Sequence, residues 1–245
     1  SVFGCALSII SICRKDGFLY LGYTKKMIAD KKTCASILNV GSSAMVEQVC
    51  IRLGFILFAK TIASLGTIEF SAHNIGMNFM SISFSIGEGF SVAAVTLIGQ
   101  SLGQKRQDLA KVYGVICQRV GLCFAFIISL FYIIFGKSLF SLFVDEVLVL
   151  QYAQPIMIIL SLMLFFQVAQ VVQFGCLRGA GDTKFTAALS LVSVTCIRPG
   201  MAFLLCYPAG LGLVGAWLGT ACDQIVRFAF SYIRFRSGKW AKIKL

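Results

Sequence analysis

"LRGAGDTK", Leu177 to Lys184, separates two long apolar stretches, and its reading decides the fold. Arg178, Asp182 and Lys184 surround Gly179 and Gly181, so the segment cannot continue either hydrophobic flank and belongs where water or lipid headgroups solvate it. It reads as a hairpin between two membrane spans.

Composition agrees with that reading. Hydrophobic residues fill 58% of the 245 positions and charged residues 13%, where a soluble domain carries about a quarter. A helix crossing about 30 Å of hydrocarbon needs roughly 20 mostly apolar residues. Six segments meet that length: 45–66, 73–100, 112–135, 150–177, 185–207 and 211–233. Barrel strands would be shorter and alternate in polarity. The expected fold class is all-α integral membrane, a six-helix transmembrane bundle.

Lys and Arg collect in alternate loops. Arg14, Lys15, Lys25, Lys26, Lys31 and Lys32 precede the first span; Lys105, Arg106 and Lys111 follow the second; Arg178 and Lys184 follow the fourth; Arg234, Arg236, Lys239, Lys242 and Lys244 follow the sixth. In the intervening loops the only cation is Lys137, beside Asp145 and Glu146. Positive charge is retained in cytoplasmic loops. The linker, the Leu177 turn and the C-terminus are therefore expected on the cytoplasmic side of a cell membrane. The net charge of +12 is spread along that face without a nucleic-acid-reading motif, so membrane lipid, not nucleic acid, is the expected partner.

Residues 1–13 are apolar but too short to span, and lack a basic leader and cleavage site; they read as the end of a truncated transmembrane helix. Residues 14–44 form a basic connector, either an interfacial helix carrying Met27, Ile28, Ile37 and Leu38 or a solvated loop. Residues 45–233 hold the spans and 234–245 a basic tail. None of the ten Cys forms a CxxC pair, and most fall in or beside spans, where a thiol acts as a small apolar packing residue. No metal site is expected from one His and no ligand cluster. A phosphate-binding GxxxxGK loop is absent, so no nucleotide-driven engine is expected.

Polar side chains inside spans are costly and mark either a pathway or a structural pairing. At 100° per residue, Asn74, Asn78, Ser81, Ser85 and Glu88 share an arc of roughly 80°. Ile75, Phe79, Ile82, Ile86 and Phe90 lie opposite. The polar face reads as a cavity wall or as a seam of interhelical hydrogen bonds; an acid within it favours the cavity. Gly87 and Gly89 flank Glu88 and suggest a bend. Gln167, Gln170 and Gln173 repeat the theme in the fourth span, as neutral ligand-binding amides or as helix cross-links.

Glu47, near the cytoplasmic end of the first span, reads as a cation or proton site or as a carboxylate paired with a base. Gln48 and Arg52 share a face. Lys60 and Arg119 lie close enough to span ends to snorkel. Asp223 and Arg227, at i,i+4, read as a mutually neutralised pair, and Arg198, before Pro199 and deep in the fifth span, requires a partner.

Several strings then resemble, in order, the C-terminal half of multidrug and toxic compound extrusion (MATE) transporters. They are "LGTIEFSAHNIG" (65–76), "GEGFSVAAVTLIGQSLGQKRQDLAK" (87–111), "CLRGAGDTK" (176–184), "IRPG" (197–200), "GLGLVGAWLGTACDQIVR" (210–227) and "RFRSGKW" (234–240). Arg178, Gly179, Gly181 and Asp182 form the signature turn of that resemblance. It implies a twelve-helix antiporter of two six-helix lobes that expels cationic or amphipathic small molecules in exchange for Na⁺ or H⁺ by alternating access. No cofactor beyond that coupling ion is implied. The chain would be the second lobe, its main partner the N-terminal lobe of the same protein.

Some relatives carry an acid in the helix before "LRG", where Gln167, Gln170 and Gln173 stand here; Ser43 replaces a usual Pro. Only Glu47 carries over as a possible cation or proton site. A lipid-linked oligosaccharide flippase of the same superfamily would share the helix count but line its cavity with more cations than Arg52 and Arg198. A membrane-embedded enzyme would need a nucleophile or metal cluster around His73, which stands alone.

Overall fold

The Leu177 turn joins two helices through a left-handed glycine. The N–H groups of Ala180, Gly181 and Asp182 return to the carbonyls of Cys176, Arg178 and Leu177. Gly181 takes φ +82°, which a side chain would resist. The computed structural model describes residues 49–144, 146–238 and 240. Glu47, Ser43, the 1–13 segment, the 14–44 connector, Lys239 and residues 241–245 lie outside them.

The described chain is helical throughout. α1 covers 49–63, α2 Thr67–Gly103, α3 Gln107–Ser141, α4 the single turn Val147–Leu150 and α5 Ala153–Gly179. α6 (Thr183–Val192) runs through a π-helical turn, Ser193–Ile197, into α7 (Arg198–Cys206), and α8 is Gly212–Arg236. Thr67–Gly103, Gln107–Ser141, Val147–Gly179 and Thr183–Cys206 are each long and apolar enough to cross a membrane. The fold is therefore all-α and integral to a membrane. α8 has the length, but Asp223, Gln224 and Arg227 lower its hydropathy; the described part of α1 is shorter than a span. α8 also runs to Arg236, so the expected tail from residue 234 begins inside a helix.

α5 is the central helix, and every residue from Gln167 to Leu177 is buried. It packs against α2, α3 and α8, and α7 packs on α8. Hydrophobic side chains gain nothing by leaving lipid, so close backbone contact must drive these pairings. A Cβ on Gly175 would lie 2.5 Å from the Ser91 carbonyl oxygen, and one on Gly179 2.7 Å from that of Val95. Two glycines four apart thus let α5 lie directly on α2. α3 follows the same rule along its length. It buries Ala110, Gly114, Cys117, Gly121, Ala125 and Ser129 and turns Phe124, Phe126, Ile127 and Ile134 outward.

One expectation about helix geometry is overturned. α2 is a continuous α-helix through Gly87 and Gly89, not the bend they suggested. Gly87 is buried beside Val168 and Val171 of α5, so its missing side chain serves packing. A helix irregularity lies instead next to Pro199, where a π-helical turn, Ser193–Ile197, leads into α7. Pro199 has no N–H to close the ladder, and the extra residue of a π turn accommodates the loss.

Candidate functional site

The π-helical turn delivers Ser193 and Arg198 to the same carboxylate. Asp223 of α8 accepts from Arg198 Nε (3.0 Å) and Nη2 (2.6 Å) and from Arg227 Nη2 (2.6 Å), all at Oδ2, while Oδ1 accepts the Ser193 hydroxyl at 2.5 Å. Exposure is 0% for Asp223, 2% for Arg198 and 8% for Arg227. The Arg198 guanidinium also lies over the ring of Phe55, 5.0 Å from its centroid. The i,i+4 pair expected between Asp223 and Arg227 forms, and the partner that Arg198 required is the same Asp223. One carboxylate thus serves two buried guanidiniums.

Two cavities open beside this network. The larger, about 500 Å³, is lined by Arg52 and Phe55 of α1, Met77, Met80, Ser81 and Phe84 of α2, and Ser190, Val194, Arg198, Gln224 and Arg227 from the later helices. A smaller one, about 100 Å³, is lined by Phe84, Glu88, Gln170, Phe174, Arg178, Ser190 and Arg227. They share Phe84, Ser190 and Arg227, so Arg227 stands between them.

The residues singled out in the sequence fall into three groups. Ser81 lines the larger cavity, and Glu88 and Gln170 the smaller. Asn74, Asn78 and Ser85 lie exposed on α2 outside both, with the Ser85 hydroxyl donating to the Ser81 carbonyl. Gln167 and Gln173 are buried in α5 away from the cavities, and Gln167 Nε2 donates to the Met80 carbonyl at 3.3 Å. The Oε1 atoms of Gln167, Gln170 and Gln173 meet no donor among the described residues.

In the Leu177 turn, Arg178 reaches the smaller cavity and Gly179 provides the close approach to Val95. Asp182 accepts from Arg234 Nε at 2.7 Å, tying the turn to the end of α8. His73 is buried between the rings of Phe58 and Trp217, a packing position. Lys60 and Arg119 are exposed.

Sequence reading missed the role of Arg227. Its pairing with Asp223 was legible, but its position on the wall of both cavities was not. The available signal was a charge count: two arginines and one aspartate in the last two spans leave one cation over. Sequence reading also passed over Glu69, whose Oε1 accepts the Tyr152 hydroxyl at 3.0 Å and ties the start of α2 to that of α5.

Comparison with known proteins follows the same lines. The chain is 31% identical over 208 residues to the probable multidrug resistance protein NorM of Thermotoga maritima, covering 84% of this chain and 44% of that protein. It is 29% identical over 199 residues to the multidrug resistance protein MdtK of Edwardsiella ictaluri, covering 78% and 43%. The crystal structure of the eukaryotic MATE transporter AtDTX14 superposes with a TM-score of 0.80 at 17% identity, over 98% of this chain and 54% of that one. The chain therefore spans about half the length of the relatives it matches. The MatE family pattern matches residues 43–204, from the first span to beyond the IRPG string, and on that match the chain belongs to the MatE family.

Proposed function

We propose that the chain is the C-terminal half of a secondary active efflux transporter, which exports cationic or amphipathic compounds by antiport with Na⁺ or H⁺. The observation that carries this reading is the 500 Å³ cavity, whose wall combines Phe55, Met77 and Met80 with Ser81, Gln224 and the arginines Arg52, Arg198 and Arg227. Such a mixed wall suits a compound with an apolar body and a polar group. Membership of the MatE family and the multidrug-resistance names of its relatives support the same reading. Residues 45–233 would form the lobe, with connector and tail cytoplasmic under the charge rule. Its partner would be the N-terminal lobe, and Glu47 a candidate for the coupling ion.

The test is transport by the full-length protein in proteoliposomes. Ethidium movement should follow an imposed Na⁺ gradient or an imposed pH gradient. Failure of both gradients to drive it would sink the antiport reading.

One observation favours the flippase reading as a second choice. Arg227 adds a third arginine to the Arg52 and Arg198 expected at the cavity wall, and a lipid pyrophosphate would need such cations. Flipping of a fluorescent lipid pyrophosphate in the same proteoliposomes separates the two readings.

A further inference from the structure

All ionisable side chains on the wall of the larger cavity are arginines: Arg52, Arg198 and Arg227. The carboxylate bonded to two of them is Asp223, which is fully buried and accepts from Arg198, Arg227 and Ser193. It compensates one guanidinium, not two. Arg52 makes no ion pair within 4.0 Å among the described residues. Arginine does not shed its proton in a protein, so the described residues leave a positive excess at this wall. In a medium of low dielectric such an excess is costly until an anion or water meets it.

Donors remain available for an anion. Arg227 Nε is buried and has no partner among the described residues, and each guanidinium offers five N–H groups in a planar fork that matches carboxylate or phosphate oxygens. Phe55 lies beneath Arg198 and holds its plane. Ser81, Ser190 and Gln224 add neutral polar groups, and Met77, Met80 and Phe84 an apolar floor. Among the described residues a second acid, Glu88, lines the smaller cavity with Arg227 and makes no ion pair within 4.0 Å.

We propose that the larger cavity binds the anionic group of an amphipathic compound, a carboxylate, sulfonate or phosphate, between Arg52 and Arg227, with its apolar body against Phe55, Met77 and Phe84. The site narrows the transport reading and rests on it only for the bound compound being a substrate. Glu88, on the far side of Arg227, competes for the same guanidinium. An anion at the larger cavity and the Glu88 carboxylate thus oppose one another through Arg227.

Binding to the full-length transporter in nanodiscs tests the site, with two probes that share a ring and differ in charge: 2-naphthoate and 2-naphthylmethylammonium. Titration calorimetry should give at least about tenfold tighter binding for the carboxylate, a preference set by the charge-assisted bonds. Arg52→Gln and Arg227→Gln should each remove that preference and leave the ammonium probe unaffected, and Glu88→Gln should tighten naphthoate binding. Arg227→Gln leaves Asp223 paired with Arg198, and Arg52 is an exposed side chain, so at least one of the two variants keeps the fold. Dioctanoyl phosphatidic acid that displaces naphthoate with higher affinity would identify a lipid headgroup as the source of the anion; weaker displacement would identify a soluble organic anion. Equal or tighter binding of the ammonium probe, or a preference that survives both arginine variants, would overturn the proposal. Naphthoate that binds but is not moved across proteoliposomes would keep the site and refute the transport reading. Ethidium transport without any anion preference would do the reverse.

Discussion

Arg198 Nη2 lies 2.6 Å from Asp223 Oδ2, joining the fifth expected span to the sixth across 25 residues of sequence. The same oxygen accepts from Arg227, one helical turn below. Both guanidiniums are buried, so the carboxylate they share fixes how α7 and α8 sit against one another. Gly215 and Gly219 of α8 assist: a Cβ on Gly215 would lie 2.6 Å from the Leu205 carbonyl oxygen, and one on Gly219 2.7 Å from the Ala202 nitrogen. The ion network and the glycine contacts specify the same helix pair.

Asp223→Asn should therefore be severe. It leaves two buried guanidiniums without a counter-charge, at a cost of about 3–5 kcal/mol, read as a large fall in thermal unfolding midpoint in detergent. Arg227→Gln should be mild, at most about 2 kcal/mol, because Asp223 and Arg198 remain matched. Equal destabilisation by the two substitutions would contradict the sharing of one carboxylate.

Glycine positions along α2 and α5 predict opposite outcomes for similar changes. Gly179→Leu drives a side chain into the Val95 backbone and should cost at least about 1–3 kcal/mol and most of the folded yield. Gly89 has nothing within 4 Å of where a Cβ would stand. Gly89→Ala should raise the unfolding midpoint, with about 0.5–1 kcal/mol gained from helix propensity. A loss on Gly89→Ala would mean that α2 needs to bend there after all.

The spans were legible because hydrocarbon thickness sets the length of an apolar run, and the observed helices α2, α3 and α5 overlap the expected segments 73–100, 112–135 and 150–177. The Leu177 turn was legible because two glycines and three charges admit no other role. Arg198 as the partner of Asp223 was not, since a contact between two helices depends on their rotation about their own axes and no local pattern encodes it. For the same reason Ser81 and Glu88 line cavities while Asn74, Asn78 and Ser85, on the same face of α2, do not. Periodicity gives the face of a helix, and the neighbouring helices decide which part of it encloses space.

Asp182 and Arg234 form a partly buried pair, with side-chain exposures of 7% and 28%, whereas Arg106 and Asp108 are largely exposed. Arg234→Ala should lower stability by about 1 kcal/mol, and Arg106→Ala should be within error of zero. A double-mutant cycle on Asp182 and Arg234 measures the coupling. Its absence would mean that the hydrogen bonds of the turn hold it without α8.

Gln170 offers the clearest separation of stability from transport. Its amide is buried on the wall of the smaller cavity, and its Oε1 has no donor among the described residues. Replacing an unsatisfied buried amide by a hydrocarbon of similar size costs little, so Gln170→Leu should change stability by less than about 1 kcal/mol. If Gln170 is an acceptor for substrate in the full-length transporter, the same change should lower drug efflux by about tenfold, the value of one hydrogen bond to a ligand. Gln167→Leu is the control: Gln167 lines neither cavity, and the change removes its bond to the backbone carbonyl of Met80, so its effect should fall on stability. Normal efflux with Gln170→Leu at unchanged expression would remove the fourth-span amides from the pathway and leave them as packing between helices.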